Sequence, residues 1–156
     1  MNILVAYYSW SGNTKELAEL IQNNIGGSLF AIKSAIPYTQ DYNELVIQTK
    51  KEVSGKYTPE LKETVHDIEK YEILFIGTPN WWGSLPPVVC SFLKSHNLSG
   101  KKIIPFITHG GGGEQNILSE IRELCPESDV VENVWIGYGN RTIGVQGWLN
   151  ELNLSN

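Results

Sequence analysis

Five short apolar blocks punctuate the chain: ILVAYY at 3–8, SLFAIK at 28–33, EILFIG at 72–77, KIIPFIT at 102–108 and VENVWIG at 131–137. None alternates strictly with polar residues. Continuous runs of this length predict strands covered on both faces, as in a parallel sheet. Between the blocks, apolar residues return every three or four positions, the spacing of one helix face. Leu17, Ala18, Ile21 and Ile25 predict a first helix, and Leu45, Val46, Thr49 and Val53 a second. Pro59 follows Thr58 as a first helical residue would, and Leu61, Val65 and Ile68 extend the helical pattern from it. Ser84, Pro86 and Pro87 introduce a third helix, with Val89, Phe92, Leu93 and His96 facing inward. Ile117, Leu118, Ile121 and Cys125 mark a fourth, and Val145, Trp148, Leu149 and Leu152 a short last one. The stretch 34–58 is the least regular, with SAIPYTQDYNE and SGKYT as loop signals.

Strand and helix alternate from end to end, which means βαβ units with right-handed crossovers. The expected fold is α/β: a doubly wound, five-stranded parallel sheet of order 2-1-3-4-5 in a three-layer sandwich, one domain over 1–156. Pro105 resists this reading. A proline inside a buried strand removes a ladder N–H, so a local irregularity or an outer position is expected there.

Composition adds boundaries. The chain has 156 residues, 41% of them hydrophobic, enough for a full core. Net charge is −5, a surface that repels nucleic acid and anionic membranes. No apolar run is long enough to span a bilayer, and no basic leader precedes the first strand. Cys90 and Cys125 form no CxxC pattern and read as buried free thiols, which suits the cytoplasm.

In such a sheet, ligands bind beyond the carboxyl ends of the strands, near the switch point. Three loops there carry chemistry. After strand one, SWSGNT places Ser9, Trp10, Ser11, Gly12, Asn13 and Thr14 at the start of a helix, without a cation. Backbone N–H groups, hydroxyls and the helix N-terminus together make a neutral cradle for a phosphate monoester. The same residues also suit an ordinary capped turn. The pattern is neither a Walker A loop nor a dinucleotide GxGxxG. After strand three, GTPNWWG brings Pro79, Asn80, Trp81, Trp82 and Gly83; one indole is expected to pack and the other to face a flat ligand. After strand four, THGGGG brings Thr108, His109, Gly110, Gly111 and Gly112, whose backbone can open N–H groups to a ligand. A mobile loop and an idle histidine are the plain alternatives. The three loops together point to a phosphorylated planar heterocycle.

On these three motifs the chain resembles the flavodoxin family over essentially its whole length. The resemblance implies an FMN cofactor. Residues 9–14 would hold its phosphate, 79–83 would line one side of its ring, with Trp81 stacked on it, and 108–112 would line another. It also implies that Gly83 lets the Trp82–Gly83 peptide reorient beside the ring. Many flavodoxins carry a tyrosine in the second ring loop; here no aromatic stands between Thr108 and Gln115. The chain is similar to the short-chain kind, without a long insertion in the fifth strand. Two functions follow from the resemblance. One is an electron carrier between a reductase and an acceptor protein. The other is an FMN-dependent NAD(P)H:quinone oxidoreductase, so enzyme or carrier stays open. A receiver domain shares the sheet order, but Tyr8-Ser9 and Gly77-Thr78 stand where it needs acidic residues.

Overall fold

The apolar blocks become strands of one parallel sheet in a computed structural model that describes residues 2–154. The elements run β1 (Ile3–Tyr7), α1 (Asn13–Ile25), β2 (Ser28–Ala31), α2 (Tyr42–Ser54), β3 (Ile73–Pro79), α3 (Pro87–Ser95), β4 (Lys102–His109), α4 (Ile117–Leu124), β5 (Asp129–Val130), β6 (Trp135–Tyr138) and α5 (Val145–Glu151). The order is β2-β1-β3-β4-β5, with β6 also paired to β4. The doubly wound α/β expectation therefore stands. Register runs Val5 to Phe75 and Phe75 to Ile104 across the centre.

Strand side chains alternate between two cores. Leu4, Ala6 and Tyr8 join Leu74, Ile76, Phe92, Ile103 and Ile121 on the α3/α4 face. Val5 and Tyr7 join Leu17, Ile21, Phe75, Phe106 and Trp148 on the α1/α5 face. The inward pattern of each helix thus selects its side of the sheet.

Two expectations fail locally. No helix follows Pro59; only a 3₁₀ turn forms, at Ile68–Lys70. Ser34 pairs with Leu61 instead, with Ala35 N–H bonded to the Glu60 carbonyl and Lys62 N–H to the Lys33 carbonyl. Tertiary pairing captured that backbone, although Leu61 and Val65 still pack on the core. The fifth strand is also not continuous. β5 pairs with Lys102 and Ile103, and β6 pairs with Phe106 to His109, both along the same edge of β4. Val131 and Gly139 donate to the carbonyls of Ile103 and His109, so odd-numbered residues of β4 face this edge. Pro105 therefore lacks its N–H in the gap between β5 and β6. The expected irregularity is a break in the neighbouring strand.

His96 sits at the end of α3, half-buried and fully bonded. Its Nδ1 lies 2.8 Å from the Phe92 carbonyl and its Nε2 accepts from Val65 N–H at 2.9 Å. Cys125 is buried and Cys90 half-buried, both as free thiols. Among the described residues no helix is long and apolar enough to cross a membrane.

Candidate functional site

β1, β3 and β4 end side by side, so their following loops meet at one sheet edge. They enclose a cleft of about 520 Å³. Of the residues expected from sequence, Trp10, Ser11, Asn13, Pro79, Asn80, Trp81, Trp82, Thr108, His109 and Gly110 line it. Ser9, Gly12, Thr14, Gly83, Gly111 and Gly112 do not line it, but most of them shape the loops that do.

The first loop is held open. Gly12 adopts φ 105°, a conformation that favours glycine. Its N–H bonds to Ser9 Oγ at 3.1 Å, and its carbonyl accepts from Glu16 N–H. Among the described residues, the N–H groups of Trp10, Ser11, Asn13, Thr14 and Lys15 bond to no group of the chain. Five free backbone donors at the start of α1 form a positive surface, and the loop 9–14 that carries four of them has no cationic side chain. A Cβ built on Gly12 would meet nothing within 4 Å, so the space over the loop is open. Thr14 and Thr108 are both buried, and their hydroxyls share a 2.8 Å hydrogen bond. That bond ties the first loop to β4.

The second loop is a tight turn. Trp81 and Ser84 exchange both backbone hydrogen bonds, and Trp82 and Gly83 between them have φ 57° and 79°. Positive φ at both central positions is the type I′ geometry. Asn80 Oδ1 accepts from Gly83 N–H at 2.8 Å, and Asn116 N–H binds the Gly83 carbonyl. The N–H that a reorientation of the Trp82–Gly83 peptide would move is thus already held. Glu120 accepts from Leu85 N–H at 2.8 Å just behind the turn; burial pushes its carboxyl above the ordinary glutamate range.

The two indoles divide their work. Trp81 packs edge-on against Tyr8 (5.4 Å between centroids) and Tyr38 (5.2 Å), on the core, while still lining the cleft. Trp82 is 49% exposed and reaches α2, where Nε1 donates to Thr49 Oγ1 at 3.1 Å. Lys50 lies over its ring at 5.3 Å.

The third loop leaves its backbone free. Gly111 N–H bonds to His109 Nδ1 at 3.0 Å, which puts the proton of a neutral imidazole on Nε2. The N–H groups of Gly110, Gly112, Gly113, Glu114 and Gln115 have no partner in the chain among the described residues. Asn80 Nδ2 bonds to the Gly113 carbonyl and to Gln115, joining the second and third loops.

Sequence reasoning missed one wall. Tyr42, Leu45, Val46 and Thr49 of α2 line the cleft, as do Tyr138 at the end of β6 and Gly139 after it. Tyr138 stands T-shaped to His109 at 5.8 Å. The aromatic absent from 109–114 comes from the neighbouring strand end, which the rule of carboxyl-edge loops could have found.

A family model described as flavodoxin matches residues 2–152. Among solved structures, a presumed flavoprotein from Bacteroides eggerthii DSM 20697 is 31% identical, with TM-score 0.84, covering 99% of each chain. A flavoprotein from Lactobacillus acidophilus NCFM, solved in complex with FMN, is 25% identical, with TM-score 0.74, covering 95% of this chain and 98% of that one. A flavodoxin from the domain Archaea shares the fold at 18% identity, with TM-score 0.59, covering 96% of this chain and 92% of that one. No curated protein sequence matches the chain.

Proposed function

The chain belongs to the flavodoxin family, and on that premise we propose that it is an FMN-binding redox protein that carries electrons between partner proteins. The observation that carries the FMN reading is the set of unbonded N–H groups of Trp10, Ser11, Asn13, Thr14 and Lys15 beside the cleft. Such a donor set fits a phosphate dianion and leaves a neutral ligand weakly held. Bound FMN supplies one- and two-electron transfer.

The chain's own residues then divide the task. Ser11, Asn13 and the loop backbone hold the phosphate, and Gly12 gives the loop its curl. The Thr14–Thr108 hydroxyl pair fixes that loop against β4. Pro79, Asn80, Trp81 and Trp82 form one wall for the ring, with Gly83 shaping their turn; Thr108, His109 and Gly110 form another, with Gly111 and Gly112 continuing that loop. His109 Nε2–H is a donor at the cleft, and Trp81 excludes water from the inner wall. Cytoplasmic residence suits the two free thiols.

A second reading, an FMN-dependent NAD(P)H:quinone oxidoreductase, draws support from the mouth of the cleft. Tyr42, Trp82 and Tyr138 are 66%, 49% and 63% exposed there, a rim suited to flat aromatic molecules. Steady-state NAD(P)H oxidation with an added quinone separates the two. The carrier reading expects slow turnover until a reductase protein is supplied. Rapid, saturable turnover without one overturns it in favour of the enzyme.

A further inference from the structure

A second cavity lies beside the phosphate loop, and Trp10 lines both it and the cleft. Its volume is about 340 Å³. The pairing of 33–35 with 60–62 builds one wall. Lys62 N–H bonds to the Lys33 carbonyl at 2.9 Å, so the two lysines are cross-strand neighbours. Such neighbours carry their side chains on one face, and like charges placed so repel. Both lysines line the cavity. Among the described residues the ion pair is Lys70–Asp67, so neither has a carboxylate within 4.0 Å. No aspartate or glutamate lines the cavity; Glu52 and Glu60 line a separate neighbouring one. An unneutralised cationic pair stands out in a chain of net charge −5.

The opposite wall is aromatic. Tyr8 is 6% exposed and Tyr38 lies T-shaped to it at 6.1 Å. Tyr38 gives its hydroxyl to Glu52, whereas the Tyr8 hydroxyl bonds to no group of the chain among the described residues. Burial raises the Tyr8 phenol well above its ordinary range and keeps it protonated, a donor. The buried side-chain polar atom left without a partner among the described residues is Trp135 Nε1, so the unbonded Tyr8 hydroxyl is open to the cavity its residue lines and is free to donate to a ligand there.

We propose that this cavity is a binding site for a planar ring bearing a phosphate or carboxylate. The anion would lie on Lys33 and Lys62, within reach of the Tyr8 hydroxyl, and the ring against Trp10 and Tyr38. The site is distinct from the flavin cleft, and the proposal does not rest on the FMN reading. Relief of the lysine repulsion supplies a driving force that a neutral ring would not tap, and it weakens with salt.

The test uses the FMN-saturated protein, so that added phosphate does not enter the cleft. Adenosine monophosphate, adenosine and inorganic phosphate are titrated separately, with backbone amide shifts followed by NMR. Adenosine monophosphate should shift the amides around Tyr8, Lys33 and Lys62 and bind about tenfold tighter than either fragment. In Lys33→Gln/Lys62→Gln that advantage should vanish, with FMN affinity unchanged. Tyr8→Phe should weaken adenosine monophosphate alone. The proposal is overturned by absence of shifts at millimolar ligand, by equal binding of the complete ligand and a fragment, or by an affinity indifferent to the lysine substitutions.

Discussion

Three glycines with nearly the same backbone angle separate strain from packing. Gly113, Gly83 and Gly27 have φ 73°, 79° and 91°. Alanine in this region costs about 1–2 kcal/mol of strain whatever surrounds it. At Gly113 the new Cβ meets nothing within 4 Å, so Gly113→Ala should cost that strain alone. At Gly83 the Cβ would stand 2.9 Å from Gln115 Oε1, the free end of a side chain. Gln115 can move, but its 3.0 Å bond to Asn80 is then lost. That adds about 0.5–1.5 kcal/mol, for a total of about 1.5–3.5. At Gly27 the Cβ would collide with the Ile3 carbonyl, a backbone group next to the β1–β2 ladder. Overpacking of this kind adds about 1–3 kcal/mol, for a total of about 2–5. Urea unfolding of the three apoprotein variants measures the series, with unchanged slopes confirming that only stability moved. Gly83→Ala should also lower FMN affinity, because the turn walls the cleft; Gly113→Ala should lower it less. Equal costs at Gly113 and Gly27, or a neutral Gly83→Ala, would refute the reasoning.

Further outcomes follow from single contacts. Asn80 holds both the turn and the glycine loop, so Asn80→Ala should weaken FMN by about 1–3 kcal/mol, read by flavin fluorescence titration. Glu120 has its folded-state pKa raised from 4.5 by burial, so it favours folding below that pH and the benefit fades as pH rises through the folded value. Glu120→Gln should therefore flatten stability against pH from about 4.5 upward, measured by urea midpoints at a series of pH values. Burial pushes both cysteine thiols up to about 11, so Cys90 and Cys125 should react with a thiol reagent at pH 8 only after unfolding. A fast native reaction at Cys90 would contradict the burial argument.

The sheet was legible because parallel strands covered on both faces leave unbroken apolar runs, as at ILVAYY and EILFIG. The phosphate loop was legible because its residues are contiguous and follow β1 directly. Pairing between distant segments was not. Leu61 and Val65 have a helical spacing, yet the backbone around them is drawn to Lys33 and Ala35. Pro105 announced a disturbance without showing that the disturbance would fall on the fifth strand. The α2 wall was hidden because Tyr42 fell in a stretch that reads as loop, while Leu45, Val46 and Thr49 read as one face of a helix, with nothing local to say that the face meets a cleft. Trp82 at φ 57° breaks the usual turn chemistry, which would place Asn or Gly there. Its tether to Thr49 is a contact of residues 33 apart in sequence.

The central claim is that the loop from Trp10 to Lys15 binds a phosphate through unpaired N–H donors, and that the ligand is FMN. Calorimetric titration of the apoprotein with FMN and with riboflavin, which differ only in that phosphate, tests it most directly. The account predicts one FMN per chain and riboflavin weaker by about a hundredfold or more, the scale of two or more charge-assisted hydrogen bonds. Equal affinity for the two flavins, or no binding of either, would contradict it.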